Sequence, residues 1–78
     1  MRRNLGELSI NKHGVIVKVN GRRRLRQRLM DMGFVNGAKI QSVRLAPLGD
    51  PIEFVIKGYH ISLRKNEAEN IIIETEDE

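Results

Sequence analysis

This chain of 78 residues has no cysteine, no tryptophan, two prolines and three aromatic residues, Phe34, Phe54 and Tyr59. Without cysteine there is no disulfide and no thiolate cage to reinforce a small core, and no thiol nucleophile. The longest apolar runs are three or four residues, as at 71–73, far from the roughly 20 that a membrane-spanning helix needs. The opening MRRNLGELSINKHG has two arginines but no apolar stretch of the roughly 7–15 residues of a secretion signal. These absences lead us to expect a soluble cytoplasmic protein. No GxxxxGK[ST] or GxGxxG occurs, so the seven glycines read as isolated turn residues rather than a phosphate cradle. The serines Ser9, Ser42 and Ser62 lie in no motif that sets a base beside them, and Ser62 is related to His60 only as i and i+2 on one strand face. We expect no enzyme.

What the chain does have is basic charge, unevenly placed. Residues 1–30 carry nine Lys or Arg against Glu7, a net of +8, and residues 31–78 carry five against nine acids, a net of −4, for +4 overall. The tail ETEDE, 74–78, has no apolar residue to hold it and is expected to fray. A chain this short forms one domain, 1–78, burying only about 60 % of its unfolded surface.

The pattern along the chain predicts five short strands. At 15–20, Val15, Val17 and Val19 alternate with Ile16, Lys18 and Asn20, a strand signal rich in β-branched residues. Leu5 and Leu8 begin the core edge. After Gly21, Leu25, Leu29 and Met32 fall at i, i+4 and i+7, one face of a helix whose other positions include Arg22, Arg23, Arg24, Arg26 and Arg28. With Met32 as its C-cap, Gly33 supplies the left-handed residue, and Leu29 and Phe34 become the C3 and C″ pair that touch in a Schellman ending.

Asn36-Gly37 then turns the chain into a strand at 38–45. Ile40 and Val43 differ by an odd number of positions, which predicts a bulge near Gln41 or Ser42. Pro47 and Gly49 fit positions i+1 and i+3 of a type I turn. Ile52, Phe54 and Ile56 share one face of the next strand; Tyr59, Ile61 and Leu63 share one face of the fourth. Residues 65–69 make one helical turn with Ala68 inward, and 70–75 closes the sheet. Such a small, bent sheet escapes exposed edges by closing into a barrel.

The order of these pieces, NLGELSINKHGVIVKVNG, LMDMGFVNGAKI and GDPIEFVIKGYHISLRKNEAENIII, resembles the ferrous iron transport protein A (FeoA) family from about Leu5 to Glu74. Asn36 stands where such proteins usually have proline and Ser62 where alanine is usual; Asn also suits a turn. The resemblance implies a mostly β, SH3-like barrel of about five strands, with one α-helix between the first two and a short helical turn before the last. The strand count agrees. An OB-fold is the other five-stranded choice, but it normally carries its helix later in the chain. The resemblance also implies a small cytosolic accessory protein of bacterial ferrous iron uptake. Its partner would be the large membrane ferrous iron transporter (FeoB), on whose GTP-binding cytosolic portion it would dock, peripheral to the membrane, and which it would modulate.

Two surfaces offer themselves for that docking. Leu48 sits at a hairpin tip where a polar residue is the default, followed by Asp50 and Pro51; the helix arginines, Arg22, Arg23 and Arg26 among them, form the other. The same run, Arg22 to Arg28, supports an alternative, a nucleic-acid-binding barrel with a log–log salt slope of roughly −4 to −5. Such barrels usually add stacked aromatics; here Phe34 and Phe54 are wanted inside, which leaves Tyr59, and the acidic second half repels a polyanion. No cofactor is expected. Ferrous iron favours oxygen and imidazole donors. His13 and His60, with Asp50 or Glu7, would make a set for weak association with a transition metal if the fold brought them together; the simpler expectation is that both histidines face solvent.

Overall fold

A computed structural model describes residues 1–76. The helix forms as its spacing predicts. α1, Arg23–Asp31, turns Leu29 fully inward with Leu25 beside it and leaves its arginines exposed. Its end is a Schellman motif with Met32 as C-cap: the Phe34 N–H donates to the Leu29 carbonyl at 3.1 Å and the Gly33 N–H to the Met30 carbonyl at 3.0 Å. Gly33 holds φ +107°, a left-handed conformation that costs a side-chain-bearing residue about 1–2 kcal/mol. Leu29 and Phe34 are both wholly buried, each contributing about 2–3 kcal/mol of apolar transfer to the fold.

Six antiparallel strands surround this core, one more than the sequence pattern predicts. They are β1 (Arg2–Asn4), β2 (His13–Val19), β3 (Lys39–Leu45), β4 (Ile52–Ile56), β5 (Tyr59–Leu63) and β6 (Ile71–Glu74), in the spatial order β1-β6-β2-β3-β4-β5. The additional strand, β1, pairs Arg2 with Glu74, Arg3 with Ile73 and Asn4 with Ile72. Its three polar residues show no alternation, because an edge strand of this length is held by backbone hydrogen bonds and not by a buried face. A 3-10 turn, Leu5–Glu7, and the one-turn helix α2, Lys65–Ala68, complete the chain.

The ladder is not closed, contrary to the expected barrel closure. Among the described residues β1 and β5 keep free outer edges. The chain crosses from β5 to β6 through α2, and α2 packs on the Leu5–Glu7 turn that follows β1. Helical turns therefore occupy the gap that a closing backbone ladder would need.

Side-chain direction in β2 also departs from simple alternation. Ile16 is wholly buried and Val15 is turned out, whereas Val19 packs against the core from the other parity. A register shift between Ile16 and Lys18 in the β2–β6 ladder reverses the alternation midway. In β3 the expected bulge lies between Ser42 and Arg44, one position beyond the predicted one. Ser42 accordingly points into the core, wholly buried, with no partner for its hydroxyl.

Strand pairing holds Glu74 and Thr75, the first two residues of the stretch 74–78 expected to fray. Glu74 ends β6, and Arg2 Nε donates to its carboxylate at 3.2 Å. Thr75 is buried: its N–H donates to the Met1 carbonyl and its hydroxyl to the His13 carbonyl, both at 2.9 Å. Composition flagged these residues as tail because the strand that fixes them, β1, has no apolar signature. Residues 77–78 of the expected tail lie outside the described residues.

Candidate partner-binding surface

The β3–β4 hairpin carries the most exposed large apolar side chain of the fold. Ala46 to Gly49 close a turn in which the Gly49 N–H donates to the Ala46 carbonyl at 2.8 Å, and the Ala46 N–H donates to the Pro51 carbonyl at 3.0 Å. Leu48, between Pro47 and Gly49, is 96 % exposed. It makes no fold-back onto the sheet. Asp50 anchors the hairpin: its Oδ1 accepts the Lys65 N–H at the start of α2 at 2.9 Å. Pro51 lines an open groove of about 440 Å³ beside the tip, together with Leu45, Pro47 and Ser62.

A charged cluster borders this groove. Glu53 of β4 receives Arg44 from β3, at 2.7 Å through Nη2 and 3.1 Å through Nε, and its second oxygen meets His60 Nδ1 of β5 at 2.5 Å. The Arg44 hydrogen bond first, and then His60, hold the Glu53 carboxyl below its ordinary value. Sequence reasoning did not single out Arg44 or Glu53. Alternation marks both as outward-facing, but their meeting depends on the β3–β4 register, which pairs them directly.

The two histidines do not converge. His13 opens β2 opposite Gln41, and β3 and β4 separate that strand from His60 on β5. Asp50 is engaged by the α2 backbone, and Glu7 accepts the Asn4 N–H at 3.2 Å. Among the described residues no three His, Cys, Asp or Glu side chains gather as a metal site. His60 turns its ring to Glu53, and Ser62 next to it in the alternation is an exposed groove residue.

The arginines of α1 form the second surface. Arg28 pairs with Glu67 of α2, whereas Arg22, Arg23, Arg24 and Arg26 stand exposed. Among the described residues none of these four has a carboxylate partner. Tyr59, the aromatic residue left over for stacking, donates its hydroxyl to the Met32 carbonyl at 2.9 Å.

The family model of the FeoA domain matches residues 3–75. The chain belongs to the FeoA family. The family's link to ferrous iron transport is carried by a relative from Porphyromonas gingivalis, an Fe(2+) transport protein A/Fe(2+) transporter FeoB fusion protein, 44 % identical over 70 residues. That alignment covers 90 % of this chain and 8 % of the fusion protein, so the FeoA region compared is a small part of its relative. The solution structure of FeoA from Chlorobium tepidum is 40 % identical, with a TM-score of 0.87 over 95 % of this chain and 70 % of that one. A Stenotrophomonas maltophilia FeoA complexed with zinc, described as a prokaryotic SH3 domain protein, is 25 % identical with a TM-score of 0.81, covering 91 % of this chain and 88 % of that one. The mostly β, SH3-like expectation therefore holds, with an open six-stranded sheet in place of a closed five-stranded barrel. No helix among the described residues is long and apolar enough to cross a membrane.

Proposed function

We propose that this member of the FeoA family is a cytoplasmic accessory protein of ferrous iron uptake that docks on the cytosolic part of a FeoB-like transporter and modulates its transport or nucleotide turnover. The observation that carries this reading is the fusion of a similar FeoA region to FeoB in one polypeptide, since two activities joined in one chain work at the same place. The surface offered is the hairpin tip. Leu48 projects from a turn closed by backbone hydrogen bonds and anchored through Asp50, so little conformational freedom is lost when it enters a pocket. Pro51 and Leu45 extend the apolar contact beside it.

Ferrous iron is cargo for the transporter in this reading, and the protein acts by contact, with no resident cofactor. His13 and His60 each present a single imidazole for weak, reversible association with a transition metal; anaerobic calorimetry with ferrous iron giving a saturable, high-affinity heat would overturn that part. Co-purification with the cytosolic domain of a FeoB-like transporter tests the docking. Retention is expected in at least one of the nucleotide-free, GDP-bound and GTP-analogue-bound states, and failure in all of them removes the proposal.

A further inference from the structure

Apart from Arg28 in the last turn, the charges on α1 are arranged against its own dipole. Arg22, Arg23, Arg24 and Arg26 crowd the positive N-terminal end, where no acidic residue occupies the first turn, and the helix's carboxylate, Asp31, sits at the negative C-terminal end, bonded to Gln27. Each misplaced charge is unfavourable to the isolated helix. Among the described residues the helix arginine with a carboxylate partner is Arg28, on Glu67. Four guanidinium groups within five residues thus have no carboxylate partner among the described residues.

Their layout is that of a surface. Arg23, Arg26 and Met30 fall at i, i+3 and i+7 and form one outward stripe, on which Met30 is 43 % exposed. Lys57 adds a cation at the far end of the helix, its stem passing near Gly33. The C-terminal end of the stripe lies away from the hairpin. The Tyr59–Met32 bond puts the end of α1 at the β4–β5 turn, whereas Leu48 lies beyond the other end of β4, a strand of five residues or about 17 Å.

We propose that Arg22, Arg23, Arg24 and Arg26, with Met30, bind anionic phospholipid headgroups, seating the protein on the membrane with its hairpin free for a protein partner. Clusters of four or more basic residues on an amphipathic helix suit an anionic leaflet, because guanidinium pairs with phosphate and each cation near the surface adds independently. The lipid is favoured over RNA because α1 carries no aromatic residue to stack on a base, and Tyr59 meets the opposite end of the helix from the arginines. This inference rests on the transporter reading for the nearness of a bilayer, and it uses a different surface.

Sedimentation with vesicles tests it. The intact protein should bind vesicles of phosphatidylcholine and phosphatidylglycerol, mixed three to one, and not vesicles of phosphatidylcholine alone. Binding should weaken on raising salt from about 0.05 to 0.5 M, as screening shortens the reach of each charge. The variant R22Q/R23Q/R24Q/R26Q should bind about a hundredfold more weakly, somewhat less than four independent contributions of about fivefold each would give. Its far-UV circular dichroism should match the parent, since glutamine is a good helix former. Leu48→Ala should bind vesicles as the parent does. Equal binding to neutral and anionic vesicles, a folded quadruple variant that binds undiminished, or displacement of the protein from vesicles by an equal charge of mixed-sequence RNA would each overturn the proposal. The vesicles contain no transporter, so failure here leaves the co-purification result standing, and the converse also holds.

Discussion

The Tyr59 hydroxyl donates to the Met32 carbonyl at 2.9 Å, joining the first residue of β5 to the C-cap of α1. Among the elements of this fold, α1 packs chiefly on β2, so this bond ties the edge strand β5 to the helix as well. A methyl group on Gly33 would lie 3.1 Å from that same hydroxyl. Tyr59→Phe should cost about 0.5–1 kcal/mol, the worth of one partly exposed hydrogen bond. Gly33→Ala should cost more, about 1–2 kcal/mol from backbone conformation alone. In the Tyr59→Phe background the alanine should cost less, because the crowding oxygen is gone. Denaturant melts of the four proteins check this, and strict additivity would show that residue 33 does not press on Tyr59.

Ser42→Ala should stabilise the protein. The Ser42 hydroxyl is wholly buried with no hydrogen-bond partner, and an unsatisfied hydroxyl costs about 1–3 kcal/mol. Thermal melts should show the melting temperature rising by about 4–8 °C per kcal/mol recovered in a domain of this size. A lower melting temperature would mean that the hydroxyl is bonded in solution, to a buried water.

Leu48→Ala separates recognition from stability. A side chain 96 % exposed should be removable with the melting temperature kept within about 2 °C, as for other surface changes. Affinity for the cytosolic domain of the transporter should fall about tenfold or more, the loss typical of an apolar anchor. Titration calorimetry beside a thermal melt gives both numbers. A large drop in melting temperature would assign Leu48 to the fold instead.

Acid should loosen the β3–β4–β5 face. Hydrogen bonds from Arg44 and then His60 depress the Glu53 carboxyl below its ordinary value of 4.5. A group lowered in the folded state stabilises it above its unfolded value, and that stability drains away as pH falls through the folded value. Melting temperature recorded across the acid range should therefore fall less steeply for Glu53→Gln than for the parent. Parallel curves would mean that solvent screens the cluster completely, as it does many exposed ion pairs.

The helix ending, the turn at Pro47 and the inward faces of β4 and β6 follow from residues close together in sequence. Leu29, Met32, Gly33 and Phe34 specify the Schellman motif because every bond in it spans a few positions. Gly37, with φ +91° in a turn closed from Ala38 N–H to the Val35 carbonyl at 3.0 Å, is legible for the same reason. Strand β1, the ordering of Glu74 and Thr75, the parity reversal in β2 and the open edges were not. Each depends on pairing between residues roughly sixty to seventy positions apart, or on a bulge whose place is decided by two ladders at once. Of the candidate site, Leu48 and the arginine run were readable from type and position. The Arg44–Glu53–His60 cluster was not, since it needs the register of three strands.

What the amino-acid order settled unaided is the set of pieces: one amphipathic helix, its stop, the hairpins and the buried apolar set, all products of short-range periodicity and turn chemistry. Tertiary structure alone decided that the sheet stays open, that the histidines remain apart, and that the leucine tip and the C-terminal end of α1 lie beyond opposite ends of β4. Those outcomes depend on which strands meet and in what register, and that is chosen by the packing of the whole core rather than by any local run of residues.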